Sequence, residues 1–174
     1  MEYTKDMTRQ ESLEKLASLV DDIEFAMLTT VDHDGSLRSR PMGTQKLERS
    51  TGTLWFFTSD DSPKSGEIHD DARVNVVYAK PDEHRYVSIS GHGEITRDAD
   101  KLAELWKPTL KAWFPKGLED PHIALLKVSI EKAEYWDVDT SRMTQLRGLL
   151  ESLLTGERPQ GLAENRKLNI TPSH

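Results

Sequence analysis

Apolar residues recur at helical spacing early in the chain, at Leu13, Leu16, Ala17 and Val20, directly after Thr8-Arg9-Gln10-Glu11, which has the form of a capping box. The pattern predicts an amphipathic helix over about residues 8 to 21, with its stripe docked on another surface. The period then changes. Phe25-Ala26-Met27-Leu28-Thr29-Thr30-Val31 is β-rich and stops at the turn-forming Asp32-His33-Asp34-Gly35, which leads straight into Leu37-Arg38-Ser39-Arg40-Pro41-Met42 and predicts a hairpin. Thr53-Leu54-Trp55-Phe56-Phe57-Thr58 is a further strand after the turn at Ser50-Thr51-Gly52. The polar segment Ser59-Asp60-Asp61-Ser62 precedes Pro63, so a short helix should start with Ser62 as N-cap and Pro63 at its first position, carrying Ile68 inward.

Val74 to Tyr78 and Tyr86 to Ile95 read as two more strands joined through Lys80-Pro81-Asp82-Glu83, the second with clean alternation that implies one buried face. Asp98 can cap a helix bearing Leu102, Leu105, Trp106 and Leu110, where Pro108 predicts a kink or a split. Residues 111 to 122 read as a loop, and a sixth strand runs from Ala124 to Trp136. Met143, Leu146, Leu149, Leu150, Leu153 and Leu154 mark a last helix over about residues 141 to 155, closed by Gly156. The tail, 157–174, is polar. No internal repeat occurs, and the order of elements argues an α+β, mainly β fold with a barrel or strongly curved sheet, not a βαβ layout.

The chain has 174 residues, the size of one domain, so residues 1–156 are expected to share one core. Only 36% of residues are hydrophobic, the mean hydropathy is −0.64 and no apolar run approaches membrane length. Met1-Glu2-Tyr3-Thr4-Lys5-Asp6 lacks the basic and apolar stretches of a secretory signal, so no membrane partner and a cytoplasmic location are expected. The absence of cysteine removes disulfides, thiolate nucleophiles and Cys-ligated metals, and redox chemistry would need a borrowed cofactor. A net charge of −7 gives a poor field for a polyanion, so nucleic acid is not an expected partner.

Two anion-friendly features stand about 20 residues apart: Arg38 and Arg40, which share a strand face, and Ser62-Pro63-Lys64 at a helix start. Together they suit a phosphate monoester, whose charge at pH 7 is about −1.5 to −2. From spacing alone, an ordinary capped helix with two solvated arginines is the more common reading of the same residues, since capped helices need no ligand. Trp55, Phe56, Phe57, Tyr86, Trp106, Trp113, Phe114 and Trp136 supply flat apolar surface for a ring system or, more simply, for a core. Gly91-His92-Gly93 lacks the third glycine of a dinucleotide fingerprint and reads as a bulge or a close backbone approach. The six histidines form no helical metal-binding pair, so no metal is expected. Ser12-Leu13-Glu14-Lys15 matches S-x-x-K without its companion motifs and reads as a solvated helix face.

Asp34-Gly35, Arg38-Ser39-Arg40-Pro41-Met42 and Trp55-Phe56-Phe57-Thr58-Ser59-x-x-Ser62-Pro63-Lys64, in this order, resemble the pyridoxamine 5'-phosphate oxidase-like FMN-binding split-barrel family, in its general stress protein branch. The likeness runs on through Asp71-Ala72-Arg73-Val74-Asn75-Val76, Arg85-Tyr86-Val87-Ser88-Ile89-Ser90-Gly91, Leu110-Lys111-Ala112-Trp113-Phe114-Pro115 and Glu134-Tyr135-Trp136-Asp137, covering residues 8 to 156. The resemblance implies a six-stranded antiparallel split β-barrel with flanking helices, a homodimer, and FMN at the subunit interface. It implies cofactor-binding roles for Arg38, Arg40, Met42, Phe57, Thr58, Ser62 and Lys64, with Tyr86, Trp113 and Trp136 near the ring.

The chain also departs from the family's oxidases: Gln45 stands for a phosphate-binding lysine, Pro63 for an arginine, and Thr144 for the histidine that follows Arg142. The substrate-binding S-x-x-x-x-x-S loop is not recognisable before Trp113. Oxidation of pyridoxamine phosphate is therefore not the expected activity, and no catalytic residue is assigned. The readings left open are an FMN-dependent oxidoreductase of unknown substrate, a non-catalytic protein that sequesters FMN, and a split barrel adapted to a deazaflavin or haem.

Overall fold

The computed structural model describes residues 7–137 and 164–171. Helix α1 (Arg9–Val20) begins at the expected capping box: the Glu11 amide donates to Thr8 Oγ1 and the Thr8 amide donates to Glu11 Oε2, at 3.2 and 2.7 Å. Leu13, Leu16, Ala17 and Val20 form its buried stripe. Ser12 is also buried, so the S-x-x-K match does not lie wholly on a solvated face; the helix is buried over a wider arc than its apolar residues alone mark.

Strands β1 (Phe25–Val31) and β2 (Leu37–Glu48) make the expected hairpin, with Gly35 supplying the positive φ of 83° that its turn requires. They are followed by β3 (Thr53–Ser59), α2 (Pro63–Asp70), β4 (Arg73–Lys80) and β5 (Arg85–Thr96). Helix α3 (Ala99–Leu105) is capped by Asp98 and stops before Pro108, which opens a 3₁₀ turn over Pro108–Ala112. A second such turn at Gly117–Glu119 interrupts the expected loop before β6 (Ile123–Asp137).

All neighbouring strands are antiparallel, in the order β3-β2-β1-β4-β5-β6, and β6 pairs again with β3 to close the ring. This is the split β-barrel, an α+β fold of six strands with flanking helices. The split has a visible cause in β6. Its first half, Ile123 to Ser129, pairs with β3, and its second half continues past the end of that partner. The second half pairs instead with a seventh strand, β7 (Glu164–Asn169), which lies in the tail read as merely polar. Leu168 and Ile170 are buried there, and Arg9 of α1 donates to the Ile170 carbonyl at 2.9 Å. Two inward apolar residues among charged ones suffice to dock a strand whose other face is solvated. The helix expected over residues 141 to 155 lies outside the described residues.

The barrel interior holds Leu28, Leu54, Phe56, Val76, Tyr78 and Ile89, among others. Burial pushes the Tyr78 phenol up to about 12, and its hydroxyl pairs with Thr44 Oγ1 at 2.7 Å. The aromatic run on β3 divides by strand alternation: Phe56 points into the barrel, whereas Trp55 and Phe57 point out and are buried with Leu102 and Leu105 of α3. Phe57 meets Trp106 edge to face at 5.8 Å. At Gly91 the β5–β6 register shifts, and a Cβ there would lie 2.2 Å from the Ser129 carbonyl oxygen, so the Gly-His-Gly segment is a bulge with a close backbone approach. Among the described residues no helix is long and apolar enough to cross a membrane.

Candidate functional site

Directly opposed residues in an antiparallel ladder point to one face, and β2 sets Arg40 opposite Leu28 and Arg38 opposite Thr30. Leu28 and Thr30 are fully buried, so both arginines spring from the inner face of the wall. Met42, two residues further along, is core. Toward the Arg38 end helix α2 lies across the wall: its Ile68 packs against Val74 and Gly93. The sequence supplies this geometry through Ser62-Pro63, which turns the chain from β3 into α2, and through Ser65, whose hydroxyl donates to the Ser59 carbonyl at 2.6 Å.

At that junction the structure assembles a cluster of charge. Lys64, on the first turn of α2, is half-buried and donates to Ser62 Oγ at 3.2 Å. Burial of its ammonium, and next the nearby Arg40 guanidinium, hold its pKa below that of a free lysine, with the Glu67 carboxylate opposing. Ser62 occupies the N-cap position, but its hydroxyl does not cap the helix; it pairs with Ser65 Oγ at 2.9 Å and accepts from Lys64.

Glu67 follows Lys64 by one helical turn and is only 2% exposed. Its Oε2 accepts from both the Thr30 hydroxyl and Arg40 Nη2, the latter at 2.8 Å, while Arg40 Nη1 donates to Thr30 Oγ1. Thr30, Arg40 and Glu67 thus close a ring of hydrogen bonds. Arg38 Nη1 lies 3.6 Å from Glu67 Oε1 and also pairs with Asp32 at 3.2 Å. Among the described residues, Arg40 gives two of its five N–H donors to protein partners, Thr30 and Glu67.

Of the residues singled out in the sequence, Arg38, Arg40, Ser62 and Lys64 come together, and Thr58 is buried on the strand that enters the junction. Phe57 turns its ring under α3. Tyr86 and Trp136 are ladder partners, but Tyr86 lies seven residues along β5 from the Gly93 that packs on α2, a separation of roughly 23 Å. Trp113 stands 75% exposed at the end of the 3₁₀ turn Pro108–Ala112. Within one chain, Tyr86 and Trp136 thus stand well along the ladder from the point where α2 packs on β5. Arg142 and Thr144 lie outside the described residues.

Sequence reasoning missed Glu67 and Thr30. The available signal was positional: a carboxylate beside inward-facing Ile68, one turn after a lysine, on a helix adjoining a strand with two arginines.

Two open grooves flank the cluster. One, of about 550 Å³, is lined by Ser65, Ile68, His69 and Gly93; the other, of about 640 Å³, lies over Thr29, Thr30, Asn75 and Ser90. Neither is lined by Arg40 or Lys64, so the charge chemistry and not concavity marks the site. Elsewhere, half-buried Asp60 and exposed Asp61 and His122 form a trio, with His122 Nδ1 2.9 Å from Asp60, whose hydrogen bond raises the imidazole pKa.

Comparison with known proteins bears on this geometry. Residues 11–160 match the sequence profile described as Pyridoxamine 5'-phosphate oxidase like. The chain is similar to Protein bli-3 of Neurospora crassa, with 26% identity over 156 residues covering 84% of this chain and 75% of that protein. In structure it is similar to the general stress FMN/FAD binding protein of Xanthomonas citri, with 30% identity, a TM-score of 0.61, and 75% and 90% of the two chains covered. A putative general stress family protein of Xanthomonas campestris pv. campestris superimposes with a TM-score of 0.65 at 27% identity over 88% and 97% of the two chains.

Proposed function

The chain belongs to the pyridoxamine 5'-phosphate oxidase-like family, and from that premise we propose that it is a flavoprotein of the general stress type, a homodimer that holds FMN by its phosphate. The observation that carries this reading is the gathering of Arg38, Arg40, Lys64 and Ser62 where β2 meets the start of α2. A helix start with a half-buried ammonium and a guanidinium fits a phosphate monoester by charge and by hydrogen-bond capacity. A flavin bound by the X. citri relative agrees with it.

The homodimer part of this reading is supported by what the barrel leaves uncovered. Phe25, Met27 and Leu37 are 53, 42 and 73% exposed on the outer face of β1 and β2, and Tyr86 on β5 is 39% exposed. Ladder register places Met27 in one row with Val77 and Ser88, and Ala79, Tyr86 and Trp136 in the next outward row. A second copy packed on this wall would cover it and bring its own Tyr86, Trp136 or Trp113 toward the ring of a flavin anchored at Arg40 and Lys64.

Bound FMN supplies hydride or single-electron transfer. The protein's part is to anchor the phosphate through Arg40, Lys64 and Ser62 and to exclude water from the ring with aromatic walls. An FMN-dependent oxidoreductase is one outcome. Sequestration without turnover is favoured by one observation: Glu67, the carboxylate at the cluster, is committed to Thr30 and Arg40 and offers no free acid or base. Reduction of the bound flavin by NADH or NADPH with rapid reoxidation would select the enzyme, and inertness to both donors would select the store.

The test of the binding reading is a pair of titrations. FMN should bind at least about tenfold more tightly than riboflavin, because a single charge-assisted contact to the phosphate is worth that much. Equal affinity would refute it.

A further inference from the structure

A carboxylate buried among the cations that should hold a phosphate is an anomaly of charge. Glu67 is 2% exposed, takes hydrogen bonds from Thr30 and Arg40 on one oxygen, and faces Arg38 at 3.6 Å with the other. We propose that Glu67 is an internal counter-ion that competes with the ligand's phosphate for Arg40 and Arg38, and so sets how tightly the clamp holds a phosphate monoester. The proposal rests on the FMN reading above.

Three cations, Arg38, Arg40 and Lys64, converge at the junction, where Glu67 and, on Arg38, Asp32 reduce their sum to one positive charge. That sum falls short of the charge of a phosphate monoester, about −1.5 to −2, so the Glu67 carboxylate weakens the pull on such a ligand. With Glu67 uncharged the sum would be two, which matches the phosphate. Arg40 gives one Nη1–H to Thr30 and one Nη2–H to Glu67, so the ligand finds the guanidinium already partly satisfied. It also meets the field of a carboxylate that water screens poorly, since Glu67 is buried and Arg40 is only 22% exposed at the side chain. Glu67 therefore stabilises the empty clamp and weakens the filled one, a division between stability and affinity that a purely structural carboxylate would not produce. Thr30 belongs to the same device. Its hydroxyl donates to Glu67 and accepts from Arg40, which holds the counter-ion on the inner side of the guanidinium and leaves the remaining donors for a ligand.

The experiment uses the full chain and its Glu67→Gln variant, which keeps the side-chain size and an acceptor for Thr30 and Arg40 while removing the charge. FMN and riboflavin are titrated into each apoprotein at low salt by quenching of flavin fluorescence, and each apoprotein is melted. The variant is expected to bind FMN about tenfold more tightly, to bind riboflavin unchanged, and to melt at a lower temperature when empty. Unchanged or weaker FMN binding would overturn the proposal, since it would make Glu67 a support for Arg40 and not a competitor. If Glu67→Gln does not fold in chloride, inorganic phosphate at equal ionic strength should restore a cooperative melt by taking the place of the missing anion; failure to do so would equally overturn it. The FMN reading fails separately, when the unaltered protein binds FMN and riboflavin alike, and the inorganic phosphate melts then still decide the role of Glu67.

Discussion

Replacing Arg40 by methionine separates the two things this side chain does. The methionine retains much of the apolar stem, so the change is mainly loss of the guanidinium. In the native protein the guanidinium is 22% exposed and pairs at 2.8 Å with a carboxylate that is 2% exposed. Removing one partner of so buried a pair leaves a charge without compensation, which typically costs about 3 to 5 kcal/mol. Arg38, already 3.6 Å from the other Glu67 oxygen, can take up part of that charge, which points to the lower end of the range. For a domain of this length each kcal/mol moves the Tm by roughly 2 to 4 °C, so a loss of about 3 kcal/mol predicts a fall of roughly 6 to 12 °C in Arg40→Met. The double variant Arg40→Met, Glu67→Met should recover most of it, because an apolar pair of similar volume is often as stable as the buried ion pair it replaces. Calorimetry or circular-dichroism melts of the three apoproteins suffice. An Arg40→Met protein that melts like the parent, or a double variant no more stable than the single one, would refute the buried-pair account.

Lys64→Ala should behave in the opposite way, weakening FMN binding roughly ten- to a hundredfold by titration while the apoprotein's stability stays within about 1 kcal/mol, because the ammonium repels Arg40 as well as attracting Glu67. Gly91→Ala should cost about 3 kcal/mol in a urea melt, since its Cβ would sit 2.2 Å from a backbone oxygen that cannot swing aside; a loss below about 1 kcal/mol would contradict the bulge. Leu168→Ala should cost about 2 to 5 kcal/mol, and a neutral result would detach β7 from the core. Asp71 and Glu104 are held at about 2, chiefly by hydrogen bonds from Arg73 and from Lys101. Both folded pKa values lie below the unfolded ones, so the stability they add is present above the unfolded values, about 3.9 and 4.3, and fades as pH falls through the folded values. The urea midpoint should drop in that window, less so in Asp71→Asn, and identical profiles for variant and parent would exclude the Asp71 pair from the effect.

Much of the barrel was legible because its strands obey local rules. The capping box of Thr8 and Glu11, the Gly35 turn and the Pro63 helix start each depend on a few adjacent residues, and the structure realises all three. The course of β7 was not legible. Leu168 and Ile170 are isolated among polar neighbours, and only the overrun of β6 beyond β3 creates an edge for them to join. The proposed phosphate site divides in the same way. Arg38 and Arg40 announce themselves by strand spacing, and Lys64 by its place on the helix. Glu67 carries no motif; its meaning comes from the tertiary packing of α2 on β1 and β5, which turns a helical carboxylate into the partner of two arginines. Tyr86 and Trp136 show the reverse case. They are neighbours in the ladder, yet Tyr86 faces outward on β5, whereas Arg38 and Arg40 spring from the inner face.

The most direct test of the account is a crystal structure of the full chain with FMN bound. The account predicts a dimer in which phosphate oxygens lie about 2.7 to 2.9 Å from Arg40 and Lys64, and the ring rests against Tyr86, Trp113 or Trp136 of the second copy. A phosphate bound away from Arg40 and Lys64, or a flavin enclosed by a single chain, would contradict it.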